Sequence, residues 1–257
     1  MTESTTTGDD RPEPEIRLGV PHADGDDRAA AYADCRRRTR ELLAGIAEAD
    51  EHVIVPACPD WTVRNCVAHL AGVCADLAAR RRPDGDVQAW VDAQVADRAD
   101  VPVAALLDEW DEVGPVFEAA IAKSPVGLGG LLYDVVAHEH DLAAALGRPA
   151  ERSGSGIDLS LDILAGIIAG DLAANDLPAV QFGDGMVEWI VGDGEPEFRV
   201  QADRFDLMRF LGSRRSLAQM RAFDIDGDLD RFLPGLAHLP LPTVDLVDGP
   251  ASPTPTP

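Results

Sequence analysis

Lysine occurs once in these 257 residues, at Lys123, and every other basic residue is an arginine. Acids outnumber bases 46 to 22, for a formal charge of −24. So acidic a chain repels phosphate backbones and anionic lipid surfaces, which excludes a nucleic-acid footprint and a polybasic membrane patch. Cysteine is scarce too. Cys35, Cys58, Cys66 and Cys74 are too few to staple a chain of this length, and they are expected to stay as thiols used as small buried apolar residues. There is no run of about 18 apolar residues to cross a bilayer, and no charged-then-apolar start with a small-residue cleavage site. The expected setting is cytoplasmic, with a small-molecule ligand rather than a nucleic acid or a membrane, and the chain as a monomer or weak dimer. No internal repeat with a period of roughly 20 to 50 residues is visible.

What is present is helix-forming sequence. Met1 to Asp27 carries eight acids, two arginines and few large apolar residues, and reads as a disordered acidic tail. Asp27 to Ala49 is rich in helix formers and free of proline, which predicts a first long helix. A loop with Pro56 and Pro59 leads to Thr62 and Asn65, the start signal of a second helix. Val63, Cys66, Val67, Leu70, Cys74 and Leu77 share one face of that helix, and His69 lies about 100° from the centre of the stripe, on its shoulder. A third helical segment runs from Val101 to Ile121, with Pro115 as a possible kink. A fourth spans Leu131 to Leu146 and is stopped by Gly147 and Pro149. Four amphipathic helices with linking loops make a bundle.

The fourth helix carries the second cluster of chemistry. Asp134 and His138 stand one turn apart on the same shoulder, Asp141 lies a further i+3 along it, and His140 projects to the far side, where water is expected. An acid and a histidine at i,i+4, with a histidine from a facing helix, is a common way to hold a divalent metal inside a bundle. His69, Asp134 and His138 would then be three ligands with a position left open, the arrangement of a catalytic rather than a structural site. A rival is Cys66-x-x-His69, which also places a soft ligand one turn from His69 but lacks a second close pair to complete it.

The segments "VPACPDWTVRNCVAHLAG" and "YDVVAHEHDLAAALGRP" resemble, in this order, the two signature segments of the mycothiol-dependent maleylpyruvate isomerase family. The resemblance implies an α+β chain: an N-terminal DinB-like four-helix bundle at 28–176 and a small α+β domain at 177–240; the proline-rich residues 241–257 read by composition as a loose tail. It places the family's metal histidines on His69 and His138 and its acid on Asp134, where the maleylpyruvate isomerases proper have glutamate. It further implies a divalent metal, expected to be zinc, and mycothiol as the thiol cofactor. The implied chemistry is isomerisation of an electron-poor unsaturated acid, or S-transfer to one.

The C-terminal third reads independently as α+β. "VQFGDGMVEWIVGDGEPEFRVQA" alternates and turns on Gly-Asp and Asp-Gly, which predicts a strand meander, and a helix, a turn and a final strand follow. A diacid substrate needs a cationic partner near the metal, and Arg214 or Arg215 in "FLGSRRSLAQ" is the expected carboxylate clamp, with Arg80 to Arg82 next in line. Asp141 is expected to orient His138 or a nearby arginine. Two other readings remain open. One is a non-catalytic, anti-sigma-like zinc-binding regulator using Cys66 and His69, and the other is a metal-free bundle that binds a small ligand.

Overall fold

In the computed structural model, residues 13–19, 24–123 and 128–252 are described. The first element is not helix. Glu15–Leu18 form strand β1, which pairs in parallel with β5 (Val187–Val191). The expected acidic tail is therefore corrected at these residues: Arg17 Nη1 reaches Asp162 Oδ1 at 2.9 Å, and its guanidinium lies over the Trp189 ring. Residues 1–12 and 20–23 of that tail lie outside the described residues.

Helix α1 (Gly25–Leu43) starts on the Asp24 cap and ends sooner than expected. Gly45, at φ +65°, turns the chain in the left-handed region that glycine tolerates, and a separate short α2 (Glu48–Glu51) follows. A two-stranded ribbon of β2 (Ile54–Val55) and β3 (Cys58–Thr62) leads into α3 (Val63–Ala78). Thr62 and Asn65 cap α3 reciprocally, as their spacing predicts. Helix α4 (Val87–Ala96), capped by Asp86, has no counterpart in the sequence reading. Helix α5 (Val103–Lys123) continues through Pro115, and α6 (Gly129–Ala145) and α7 (Ser155–Ala174) complete the helical part.

Helices α1, α3, α5 and α6 pack as the bundle, and α7 lies against α1 and α6. Tyr32, Trp110 and Phe117 fill its centre edge to face, and the Trp110 indole donates to the Tyr32 hydroxyl at 3.1 Å. The α+β class expected from the sequence is the one observed: a helical N-terminal region followed by a sheet-containing region.

The sheet corrects the expected meander. β4 (Val180–Gly183) and β5 form the antiparallel hairpin that Asp184-Gly185 predicts. β6 (Phe198–Gln201) then crosses over to pair in parallel with β4, and β7 (Asp224–Asp226) closes the far edge, giving the order β1-β5-β4-β6-β7. Helices α8 (Arg204–Leu211), α9 (Leu217–Met220) and α10 (Leu229–Leu236) complete this part, and α8 and α10 pack on α7.

The Pro-rich segment after Leu241 is not loose where it is described. Leu246 is buried, its N–H donates to Gln219 Oε1 at 3.0 Å and its carbonyl accepts from Gln219 Nε2 at 2.8 Å. Asp245 meets Ser216, Asp248 meets Arg209 and Arg215, and Ala251 bridges Ala150. The acids of the segment, placed opposite buried arginines, tie it down. Residues 253–257 lie outside the described residues.

Candidate metal centre

Two helices and one ribbon build the site. The apolar stripe of α3 buries Val63, Cys66, Val67, Leu70 and Cys74, and this seats the neighbouring shoulder, with His69, against α6. Helix α6 answers with Asp134 and His138. His69 Nε2 lies 3.2 Å from Asp134 Oδ2, and His138 Nε2 lies 3.5 Å from Asp134 Oδ1. One ligand atom from each of the three falls within 4.8 Å of the others. Trp61 of β3 covers the pair, its ring centred 5.0 Å from His69 and 5.9 Å from His138.

The donor set fits a borderline divalent cation such as zinc, since two imidazole nitrogens and a carboxylate oxygen are its usual ligands. The imidazoles are 7% and 5% exposed, whereas Asp134 keeps 32% of its side chain accessible, so solvent reaches the cluster from one side only. His69 Nδ1 and His138 Nδ1 are both buried without a hydrogen-bond partner, the latter facing Asp141 only as an ion-pair contact, so the two imidazoles are not fully satisfied by the chain's own hydrogen bonds. Burial by itself would raise the Asp134 carboxyl, but the His69 imidazole brings it down to about 2. Burial disfavours charge on His138, yet the Cys66 thiol beside it and Asp141 push its pKa well above the usual histidine value. A metal at these nitrogens therefore competes with a proton, so acidification opposes its binding.

Behind His138 lies a buried charge network. His138 Nδ1 is 3.2 Å from Asp141 Oδ2, and Asp141 is fully buried. Asp141 accepts from Arg209 Nη1 at 2.8 Å and from Arg214 Nε at 3.1 Å. Burial would raise its pKa, but Arg214 and then Arg209 hold it well below the carboxylate range. Arg214 also donates to the Gly212 carbonyl at 3.3 Å, which takes the Tyr133 hydroxyl at 2.6 Å. Only a residue without a Cβ fits there, because a Cβ on Gly212 would stand 2.1 Å from that hydroxyl oxygen.

The expected arginine clamp is thus corrected. In the structure Arg214 pairs with the buried Asp141, and Arg215 turns to Asp206 and Asp248 at 2.8 and 2.7 Å, so both guanidinium groups are engaged by carboxylates of the chain itself. His140 is corrected as well: it is buried, edge-on to Phe205 of α8 at 4.8 Å, because the sheet-bearing part packs over the face that the bundle alone would leave wet. Sequence reasoning missed Arg209, whose signal was a charge inside the apolar run "LMRFL", and Cys58, whose sulfur joins His138 and Asp141 in a second group of ligand atoms. Two guanidinium groups already neutralise Asp141, so a cation is favoured at the His69, Asp134 and His138 group instead. Burial raises the Cys66 thiol pKa, and among the described residues Cys66 completes no ligand group with His69.

The buried His140 makes a testable prediction. Burial, aided by the Arg209 charge, lowers its pKa to about 3, whereas the unfolded value is about 6.5. The neutral form belongs to the folded chain, so this contribution is complete above about pH 6.5 and is lost towards pH 3 as the unfolded chain takes up the proton. The slope is at most about 1.4 kcal/mol per pH unit. Urea unfolding of metal-free protein at pH 7 and pH 5 should therefore show a smaller loss for His140→Leu than for the parent. Equal losses in the two proteins would show that His140 does not carry the acid sensitivity.

Residues 32–143 match the family model described as "Mycothiol maleylpyruvate isomerase N-terminal domain". Among solved structures, a mutant of the mycothiol-dependent maleylpyruvate isomerase aligns with a TM-score of 0.53 at 12% identity, covering 79% of this chain and 93% of that one. A second structure of the mycothiol-dependent maleylpyruvate isomerase aligns with a TM-score of 0.50 at 13% identity, covering 73% and 88%. At such identities the likeness is one of fold. No curated protein matches the sequence. Among the described residues, no helix is long and apolar enough to cross a membrane.

Proposed function

Because residues 32–143 match the family model described as the mycothiol maleylpyruvate isomerase N-terminal domain, we propose that this chain is a metal-dependent enzyme using a low-molecular-weight thiol. The thiol is mycothiol, and the substrate is an electron-poor unsaturated small-molecule acid, which is isomerised or receives the thiol. One observation carries the reading: His69, Asp134 and His138 converge within 4.8 Å from two facing helices of the matched domain, with Asp134 open to solvent.

His69, Asp134 and His138 are the ligands. A zinc ion held by them would supply a Lewis acid that keeps a coordinated thiol deprotonated at neutral pH. The remaining work falls to the chain. Asp141, 3.2 Å from His138 Nδ1, orients the imidazole so that Nε2 faces the cluster, and Arg209 and Arg214 keep Asp141 ionised. Trp61 limits water on the imidazole side. Arg214 enters as a positioning residue that acts through Asp141, and Arg215 as a brace to Asp206 and Asp248. The setting is cytoplasmic, where thiols stay reduced.

The test is metal analysis of the purified protein followed by turnover of maleylpyruvate with mycothiol. The expected result is one divalent ion per chain and a rate that needs the thiol, disappears on chelation and returns with zinc. A protein that binds no metal, or a rate indifferent to the thiol, would overturn the reading.

A further inference from the structure

In a chain with two acids for each base, almost every cation has a partner. Among the described residues, the side chains of Arg80, Arg82 and Lys123 are the exceptions, making no hydrogen bond, ion pair or ring contact. All three rim one groove of about 950 Å³, formed by the end of α3, the second half of α5 and the start of α6. Its walls are Leu77, Val116, Phe117 and Leu128 with small alanines, and no carboxylate is among the described residues that line it. Val116 is 58% exposed there, although its neighbour Phe117 is fully buried.

Arg80 adds an independent observation. It follows the C-cap Ala79 at φ +61°, with its N–H on the Leu77 carbonyl at 3.0 Å and the Arg81 N–H on the Asp76 carbonyl at 2.7 Å. This is the helix-ending position that favours glycine. A residue with a Cβ is disfavoured here, and Arg80 occupies the position with no intramolecular contact of its guanidinium to offset the strain.

We propose that this groove binds a small amphipathic anion, with the apolar body against Leu77, Val116 and Leu128 and a carboxylate or phosphate head held by Arg80, Arg82 and Lys123. The volume is within the range of small-molecule sites, which combine apolar walls with a few convergent polar groups. In a molecule of charge −24, three unpaired cations around a groove with no carboxylate among its described lining residues make a local positive field that selects an anion. The groove is not the metal centre: Leu77 lies eight residues past His69 on α3, about 12 Å along the axis. The inference therefore stands whether or not the chain turns over an unsaturated acid.

The experiment uses full-length protein and the fluorescent amphipathic anion anilinonaphthalene sulfonate, displaced by decanoate below its micelle concentration. Saturable binding, displacement by decanoate and much weaker displacement by decanol are expected. The triple variant Arg80→Ala, Lys123→Ala, Arg82→Ala should weaken the decanoate-displaceable binding by about tenfold or more, since charge-assisted contacts are lost. Val116→Asp should weaken it too. All four side chains are exposed, so melting temperature and circular dichroism should not change. Equal affinity in parent and triple variant, or equal displacement by decanol and decanoate, would overturn the proposal. So would flotation with phosphatidylglycerol vesicles without any decanoate displacement, which would make the patch a membrane contact.

Discussion

Replacing His138 with alanine is expected to remove the divalent ion and, with it, thiol-dependent turnover, while the helical fold survives. His138 is the hinge of the site because it stands between the two carboxylates, Nε2 3.5 Å from Asp134 and Nδ1 3.2 Å from Asp141. Without it, His69 and Asp134 offer two donors, too few for the tetrahedral preference of zinc to be met by protein. The loss of affinity should exceed the roughly 10- to 100-fold that removing an outer hydrogen-bond partner costs. Asp141 keeps Arg209 and Arg214 in the variant, so no buried charge is stranded and the circular dichroism spectrum should remain that of the parent. His69→Ala should behave in the same way. Full metal stoichiometry in both variants would place the ion elsewhere, and the Cys58, His138 and Asp141 group would not rescue the idea, because it too contains His138.

The parts of this architecture that local patterning governs were legible in the sequence. The Thr62 and Asn65 cap, the apolar stripe of α3, the stop at Gly147 and the Asp184-Gly185 hairpin are all short-range signals, and each appears in the structure where its residues lie. The two segments that carried the family resemblance fall in or overlap the matched residues 32–143. What escaped was set at long range. β1 is four residues of exposed and half-exposed sequence whose pairing is decided by β5, more than 160 residues away. The order in which β6 bypasses β5 depends on sheet packing rather than on turn chemistry. His140 reads as a wet histidine on an isolated amphipathic helix and becomes buried only when Phe205 arrives from α8. The same holds for the arginines. Two consecutive guanidinium groups at a helix end carry no sign of which carboxylate each will find, and here Arg214 goes inward to Asp141 while Arg215 goes to Asp206 and Asp248.

That inward turn makes Asp141 the residue whose loss should cost stability and metal affinity together. Asp141→Ala strands Arg214, 8% exposed, whose other hydrogen bond is to a carbonyl, and leaves Arg209, 1% exposed, with Asp248 as its only carboxylate. An uncompensated buried charge of this kind destabilises by about 3 to 5 kcal/mol, and urea unfolding should show a loss of that size. Asp141→Asn keeps the shape and an acceptor for one arginine while lowering the basicity of His138, so the folded variant should bind zinc about 10- to 100-fold more weakly. The two readouts separate the roles. If Asp141 were only a counter-ion for the arginines, the Asn variant would lose stability yet bind zinc with the parent's affinity once folded. If it also orients His138, both quantities fall. The pH dependence supplies a further check. The folded pKa of Asp141 is well below the unfolded value of about 3.9, so its stabilisation is complete above that value and is lost only as the pH falls below it. The Asp141 carboxylate itself therefore adds no difference between pH 6 and pH 8. His138, whose pKa Asp141 helps to raise, stabilises the fold below its unfolded pKa and loses that contribution as the pH rises, so in metal-free protein the deficit of the Ala variant should be larger at pH 6 than at pH 8. An equal deficit at both pH values would show that Asp141 does not stabilise the His138 imidazolium.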